Sequence, residues 1–340
     1  MTKSIRNLIL ILVSSMIIFS GCSSNNNQDG EIVSNNGTNK EQQQETKTDI
    51  NIAVLKGPTG IGSVKLMNDS ESGSTKNNYN FQIASSPDEV NGKIISGELD
   101  IAAVPTNVAS VLYNKTEGNV KIAALNTLGV LYILENGNTI NTIEDLKGKT
   151  IYSSGQGATP EYALNYILEK NNIDDVTIEY MSEHAELATA LASGSVEIGL
   201  LPEPNVTAVT MKNENTRIAI NLTDEWNKVG EGSQLTMGCI VARKEFVEQN
   251  KEAFDNFLDE YKSSIEYTSS NLDSTASLVA KYEIMASSSA AKNAIPNCNI
   301  VYIDGEEMKT AAKGFYEVLF NANPQSIGGK LPDENFYYSK

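Results

Sequence analysis

Histidine is nearly absent from this chain, which has one, His184, beside one tryptophan and three cysteines. A single imidazole and scattered thiols offer no ligand spacing for a metal centre and no histidine-based catalytic constellation. Arginine is almost as scarce: after Arg6 only Arg217 and Arg243 occur. Positive charge is short throughout, with 26 lysines and arginines against 43 aspartates and glutamates and a formal net charge of -17. Such a balance excludes nucleic acid and anionic membrane surfaces as natural partners. The apolar run from Leu8 to Phe19 is too short to cross a bilayer.

That run has a different use. Lys3 and Arg6 precede it, and Ser20, Gly21 and Cys22 follow, the order of an export signal. The pattern resembles the bacterial lipoprotein signal, with Phe19 where leucine is usual. This implies a signal peptide over 1–21 and a diacylated Cys22 that anchors the protein to the cell membrane on its extracytoplasmic side. At about 0.8 kcal/mol per buried methylene, two acyl chains hold where one does not. Loss of Lys3 and Arg6 takes the charge from -17 to -19. Residues 23–48, rich in Asn, Gln, Ser and Thr, contain almost nothing to bury and are expected to be a flexible linker. The remainder is long enough for two lobes. Cys239 and Cys298 fit either a disulfide in an oxidising compartment or two buried thiols.

The segment "NIAVLKGPTGIGSV", residues 51–64, leads from a strand pattern into glycines. Gly57 and Gly62 have P-loop spacing, but Ser63 stands where the phosphate-binding lysine belongs. A second feature explains it better. "SGELDIAAVP" (96–105) is echoed by "SGSVEIGLLP" (193–202), aligning Gly97, Ile101 and Pro105 with Gly194, Ile198 and Pro202. Each reads as helix stop, strand and proline exit. Helices precede both, the first opened by a capping box of Ser86, Pro87 and Glu89. Upstream, "INIAVLKGPTGIGSV" pairs with "TIYSSGQGATPEYAL", both strand, glycine loop and helix. Two copies imply an α/β fold of two similar lobes, each with a largely parallel sheet.

In such sheets ligands bind beyond the carboxyl ends of the strands. Four stretches fall there: 56–62, 105–107, 153–159 and 202–205. The candidate ligand-binding residues are Lys56, Gly57, Pro58, Thr59 and Gly60 from the first and Thr106 and Asn107 from the second. The third gives Ser153, Ser154, Gly155, Gln156, Gly157, Ala158 and Thr159, with Thr159 read as the cap of the next helix. Hydroxyls and amides suit oxygen acceptors. Neither Arg217 nor Arg243 lies in these loops, so the bidentate clamp on carboxylate or phosphate is missing.

The segments "TIEDLKGKTIYSSGQGATPEYAL" (142–164), "ALASGSVEIGLLPEPNVTAV" (190–209), "GCIVARKEFVEQNKEAFDNFLDEY" (238–261) and the tail "SIGGKLPDENFYY" together resemble the solute-binding proteins of bacterial ABC importers. The group is the SsuA/THI5-like one, which takes nitrate, taurine, sulfonates and thiamine precursors. The resemblance implies a type II periplasmic-binding-protein fold with two α/β lobes, a ligand cleft and two hinge crossings, near 126–135 and 235–244. Lobe one is then 49–128 plus 240–340 and lobe two 129–239. Phe254, Phe257, Leu258, Tyr261 and Ile265 form a helical apolar face that packs on lobe one.

The resemblance also implies a monomer that binds a small-molecule solute, closes on it and passes it to ABC permease subunits in the membrane, with no catalysis and no cofactor. Glu203 in "LPEPN" matches a Glu-Pro that the family places at the cleft, where it accepts from an amine or ring N–H; Asn205 follows it. Tyr132, Tyr152 and Tyr162 are stacking or hydroxyl candidates. The expected solute is a pyrimidine of the thiamine-precursor kind or an amine-bearing molecule, with alkanesulfonate or taurine as the alternative. A tethered sensor without transport is a further alternative. Enzymes of the same fold family use several histidines; His184 alone does not suffice and reads as a surface or hydrogen-bonded structural residue.

Overall fold

The computed structural model describes residues 47–340. The expected signal, Cys22 and residues 23–46 lie outside the described residues. The fold is α/β with two open sheets. Their strands are β1 (Asp49–Leu55), β2 (Asn78–Ala84), β3 (Ile101–Pro105), β4 (Val120–Leu128), β5 (Leu131–Asn136), β6 (Thr150–Ser154), β7 (Thr177–Met181), β8 (Ile198–Pro202), β9 (Thr216–Asn221), β10 (Thr236–Arg243) and β11 (Ile300–Ile303). The first sheet runs β11-β4-β10-β3-β1-β2 and the second β7-β6-β8-β5-β9.

Apart from β11, the sheets share one plan. β2, β1 and β3 are parallel, as are β7, β6 and β8. An antiparallel strand follows in each, β10 in the first and β5 in the second, and each pairs on its far side with another antiparallel neighbour, β4 or β9. The sheets are therefore mixed, not largely parallel as expected. The reason lies in connectivity: β5 follows β4 after two residues but enters the second sheet, and β10 returns to the first. Each of these two strands thus enters its sheet from the other one and not by a crossover from a strand it pairs with, so nothing holds it to the parallel direction.

The internal echo corresponds to real elements. The helices Pro87–Ser96 and His184–Ser193 end at Gly97 (φ 84) and Gly194 (φ 76), left-handed positions that favour glycine. The strands that follow, β3 and β8, are buried except at their final prolines, which is why both read as unbroken apolar runs. The capping details differ from expectation. Ser86 makes no side-chain cap bond, and Glu89 instead accepts from the Ser85 amide at 3.4 Å. The Thr159–Lys170 helix is capped at Ala158, with Thr159 already in its first turn.

The Lys251–Ser270 helix lays Phe254, Phe257, Leu258, Tyr261 and Ile265 on one face of the first sheet, against Ile50, Ile52, Ile101 and Ile240. Burying each of these large side chains is worth about 1.5–3 kcal/mol. On the other face the Gly305–Ala322 helix brings Phe315 to 6.1 Å, ring to ring, from Trp226 in the Leu222–Val229 helix. An apolar cluster from Ile122 and Val241 through these rings to Ile133 and Leu200 joins both sheets. Gly129, between β4 and β5, makes the crossings fit: a Cβ there would lie 2.2 Å from Thr223 Oγ1 and 2.8 Å from Leu235 Cδ2. Cys239 and Cys298 are free and buried, in different clusters.

Candidate functional site

The loops expected to meet ligand leave the carboxyl ends of β1, β3, β6 and β8. The start of β10 lies beside the ends of β3 and β4, and the start of β5 beside the end of β8. In the first loop, Lys56 is exposed and Pro58 and Thr59 half-buried. Gly57 has φ 92 and donates its amide to Ile284 O at 3.0 Å. A Cβ on Gly60 would lie 2.1 Å from Leu55 O. The glycines thus fold the chain back over its own strand, and the P-loop spacing follows from that turn. Asn126 holds the loop from below: its Nδ2 donates to Thr59 O at 3.2 Å and to Tyr261 Oη at 2.9 Å, while its Oδ1 accepts from Thr127. Sequence reasoning missed this support. Its signal was the polar pair Asn126–Thr127 at the end of the apolar strand "KIAAL".

Thr106 opens the Thr106–Lys115 helix and is 1% exposed. Its hydroxyl is sealed beside the Cys239 thiol, the one group among the described residues that it can address, and then only weakly. The hydroxyl of Thr236, the first residue of β10, and Gln234 Oε1 are sealed too, and unpartnered among the described residues. Leaving such groups unpaired costs about 1–3 kcal/mol each. Asn107 turns away, its Nδ2 3.5 Å from Ser326 O.

The serine hydroxyls of the third loop are occupied internally. Ser153 donates to Ser154 O at 3.2 Å, and Ser154 Oγ lies 2.5 Å from His184 Nδ1. Gly155 (φ 80) and Gly157 (φ 72) shape the turn. Gly157 donates to Glu161 Oε2 at 2.6 Å and Ala158 to Gly155 O at 3.1 Å. The amides of Gly155 and Gln156 make no hydrogen bond among the described residues. Gln156 is exposed, and Thr159 is buried at the helix start.

Glu203 is 2% exposed, not a solvated loop acid. Thr207 donates to it from its amide at 3.1 Å and its hydroxyl at 3.0 Å, and Asn297 Nδ2 from the first sheet's side at 3.1 Å. Burial pushes its pKa above the ordinary value, and these donors pull it back in part. Tyr132 is buried and donates to Asn297 O at 2.8 Å. Asn205 is half-buried at the start of the Asn205–Thr210 helix. Tyr152 is half-buried against the second sheet's cluster, and the Tyr162 hydroxyl accepts from Asn323 Nδ2 at 3.0 Å.

Across the sheets, then, Tyr132 and Glu203 meet Asn297, whereas no hydrogen bond joins 56–60 to 153–159 among the described residues. Among the described residues no carboxylate is hydrogen-bonded to the second nitrogen of His184, so these show no third member of a hydrolytic triad beside Ser154 and His184. No group of three potential metal ligands occurs among the described residues. No described helix is long and apolar enough to cross a membrane.

Three solved structures share this architecture. An ABC transporter protein from Parabacteroides distasonis is 25% identical, with a TM-score of 0.71 over 86% of this chain and 100% of its own. The periplasmic aliphatic sulphonate binding protein SsuA from Escherichia coli is 15% identical, with a TM-score of 0.70 over 86% and 93%. The alkanesulfonate-binding protein SsuA from Xanthomonas axonopodis pv. citri, bound to MOPS, is 14% identical, with a TM-score of 0.61 over 86% and 97%. The fold is the type II periplasmic-binding-protein fold. No curated protein matches the chain. Residues 84–273 match the family described as NMT1/THI5 like, and the chain belongs to that family.

Proposed function

We propose that the protein is the extracytoplasmic solute-binding component of an ABC importer, tethered through a lipidated Cys22, which captures a small polar solute as a monomer and delivers it to a membrane permease. The two sheets with their helices act as lobes, 49–128 plus 240–340 and 129–239. The observation that carries this reading is the tie of Tyr132 and Glu203 on the second sheet to Asn297 on the first, at the edge where the ligand loops emerge. Closure is a population shift, and only contacts made across the cleft drive it. The SsuA relatives, named for binding sulfonates, support the same reading.

The free donors refine the solute class. Glu203 already has three donors, whereas the amides of Gly155 and Gln156 have no acceptor among the described residues. A pyrimidine of the thiamine-precursor kind fits through its ring nitrogens. An alkanesulfonate fits through its oxygens, which gives that second reading specific support. A thermal-shift screen of the purified protein against pyrimidines, taurine, alkanesulfonates and nitrate tests both. At 100 times its dissociation constant a ligand adds about 2.7 kcal/mol. Silence across the panel overturns the solute class, and turnover of any compound overturns the non-enzymatic reading.

A further inference from the structure

We propose that His184 contacts the solute, with Ser154 fixing the ring so that Nε2 carries its hydrogen and donates it to an acceptor atom of the bound molecule. The proposal rests on the solute-binding reading above. His184 is the first residue of the His184–Ser193 helix, just past the carboxyl end of β7. It thus stands at the same sheet edge as Ser154, which ends the neighbouring β6.

Hydrogen placement follows from burial. Ser154 is sealed, and among the described residues the only partner of its hydroxyl is His184 Nδ1 at 2.5 Å. Were Nδ1 to donate, the serine hydrogen would be left buried without an acceptor, at a cost that donation by serine avoids. A positive ring is also disfavoured, because the site is a helix amino terminus. Burial lowers the histidine pKa, and the neighbouring Glu183 opposes that only in part. The neutral ring therefore accepts at Nδ1 and bears hydrogen at Nε2. That nitrogen has no hydrogen-bond partner among the described residues, yet it is not among the sealed atoms, and the residue is half-buried.

A cleft with scarce arginine gains here a donor that the charge pattern does not reveal. The group it selects is a carbonyl, a ring nitrogen or an acid oxygen. An ammonium at that position is rejected, since donor would face donor.

Because the chain has one histidine, nuclear magnetic resonance of the tag-free, full-length protein in detergent, labelled with nitrogen-15 histidine, reads this ring alone. The free protein is expected to show the Nε2–H tautomer, and Ser154→Ala to lose that preference. Taurine, MOPS, nitrate and the aminopyrimidine portion of thiamine are then titrated, with calorimetry in parallel. A solute that binds is expected to move the Nε2–H signal, and His184→Ala to weaken it about tenfold. An Nδ1–H tautomer, or a calorimetric binder that leaves the histidine signal in place, overturns the proposal and spares the solute-binding reading. If nothing in the panel binds, the solute class falls and this contact falls with it.

Discussion

Asn297, just ahead of β11 in the first sheet, donates from Nδ2 to Glu203 Oε1 at the end of β8 in the second, over 3.1 Å. Its carbonyl accepts from Tyr132 Oη at 2.8 Å. One residue thus answers the second sheet with both its side chain and its backbone. A hydrogen bond to a carboxylate is worth about 1.5–3 kcal/mol, enough to bias an equilibrium between open and closed lobes. Asn297→Ala is expected to weaken binding of the captured solute by about tenfold or more, mainly through faster release. Calorimetry and stopped-flow dissociation check this, and unchanged affinity removes Asn297 from the closing device.

Glu203 makes the pH dependence of that tie specific. Its pKa in the fold is raised above the ordinary 4.5, chiefly by burial, while Thr207 and Asn297 lower it in part. A carboxyl that holds its proton more tightly folded than unfolded contributes stability below the unfolded value. That contribution is lost as pH rises through the folded value. Wild type should therefore lose stability relative to Glu203→Gln as pH rises above the ordinary glutamate value. Urea denaturation along that rise measures the difference, and parallel curves would contradict the assignment.

A second buried carboxylate behaves in the opposite way. Burial pushes Glu135 upward, but the Thr139 hydroxyl, the amides of Thr139 and Ile140, and Arg217 together hold it below the usual range. Arg217 Nη2 lies 2.7 Å from Glu135 Oε2. Arg217→Ala leaves the carboxylate buried with neutral donors only. Because the guanidinium is partly exposed, the expected loss is about 2 kcal/mol, below what breaking a fully buried pair costs. Denaturant midpoints report it, and addition of Glu135→Gln should recover part of the loss.

Much of this architecture is readable from the sequence because local rules and tertiary needs agree. Gly97 and Gly194 stop helices, Pro105 and Pro202 end buried strands, and Phe254 to Ile265 recur at helical spacing. The position of the loops follows from the same signals. What those loops hold free does not, because it depends on partners far away in the chain. Asn297 and Glu203 are 94 residues apart, and Ser154 and His184 are 30 apart. The mixed sheets escaped for a similar reason: β5 and β10 look like any apolar strand, and only the crossings at Gly129 and Leu235 decide their direction. Nor does an apolar pattern show that Ala158 replaces Thr159 as cap, since the bond that would distinguish them is absent.

Two glycines, one in the loop after β1 and one in the loop after β6, should respond differently to the same small change. At Gly60, an added Cβ would sit 2.1 Å from the Leu55 carbonyl oxygen, a backbone atom that cannot swing aside. Gly60→Ala is expected to cost about 3 kcal/mol, the upper end of overpacking. At Gly157 nothing lies within 4 Å of the new carbon, and only φ 72 resists. Gly157→Ala should cost about 1 kcal/mol, leave the fold intact and weaken solute binding by shifting the loop that carries the free Gly155 and Gln156 amides. Thermal denaturation and calorimetry on both variants separate the effects. Gly60→Ala as stable as Gly157→Ala would mean that the β1 turn relaxes more than its packing indicates. Gly157→Ala with unaltered affinity would place the solute away from the loop after β6.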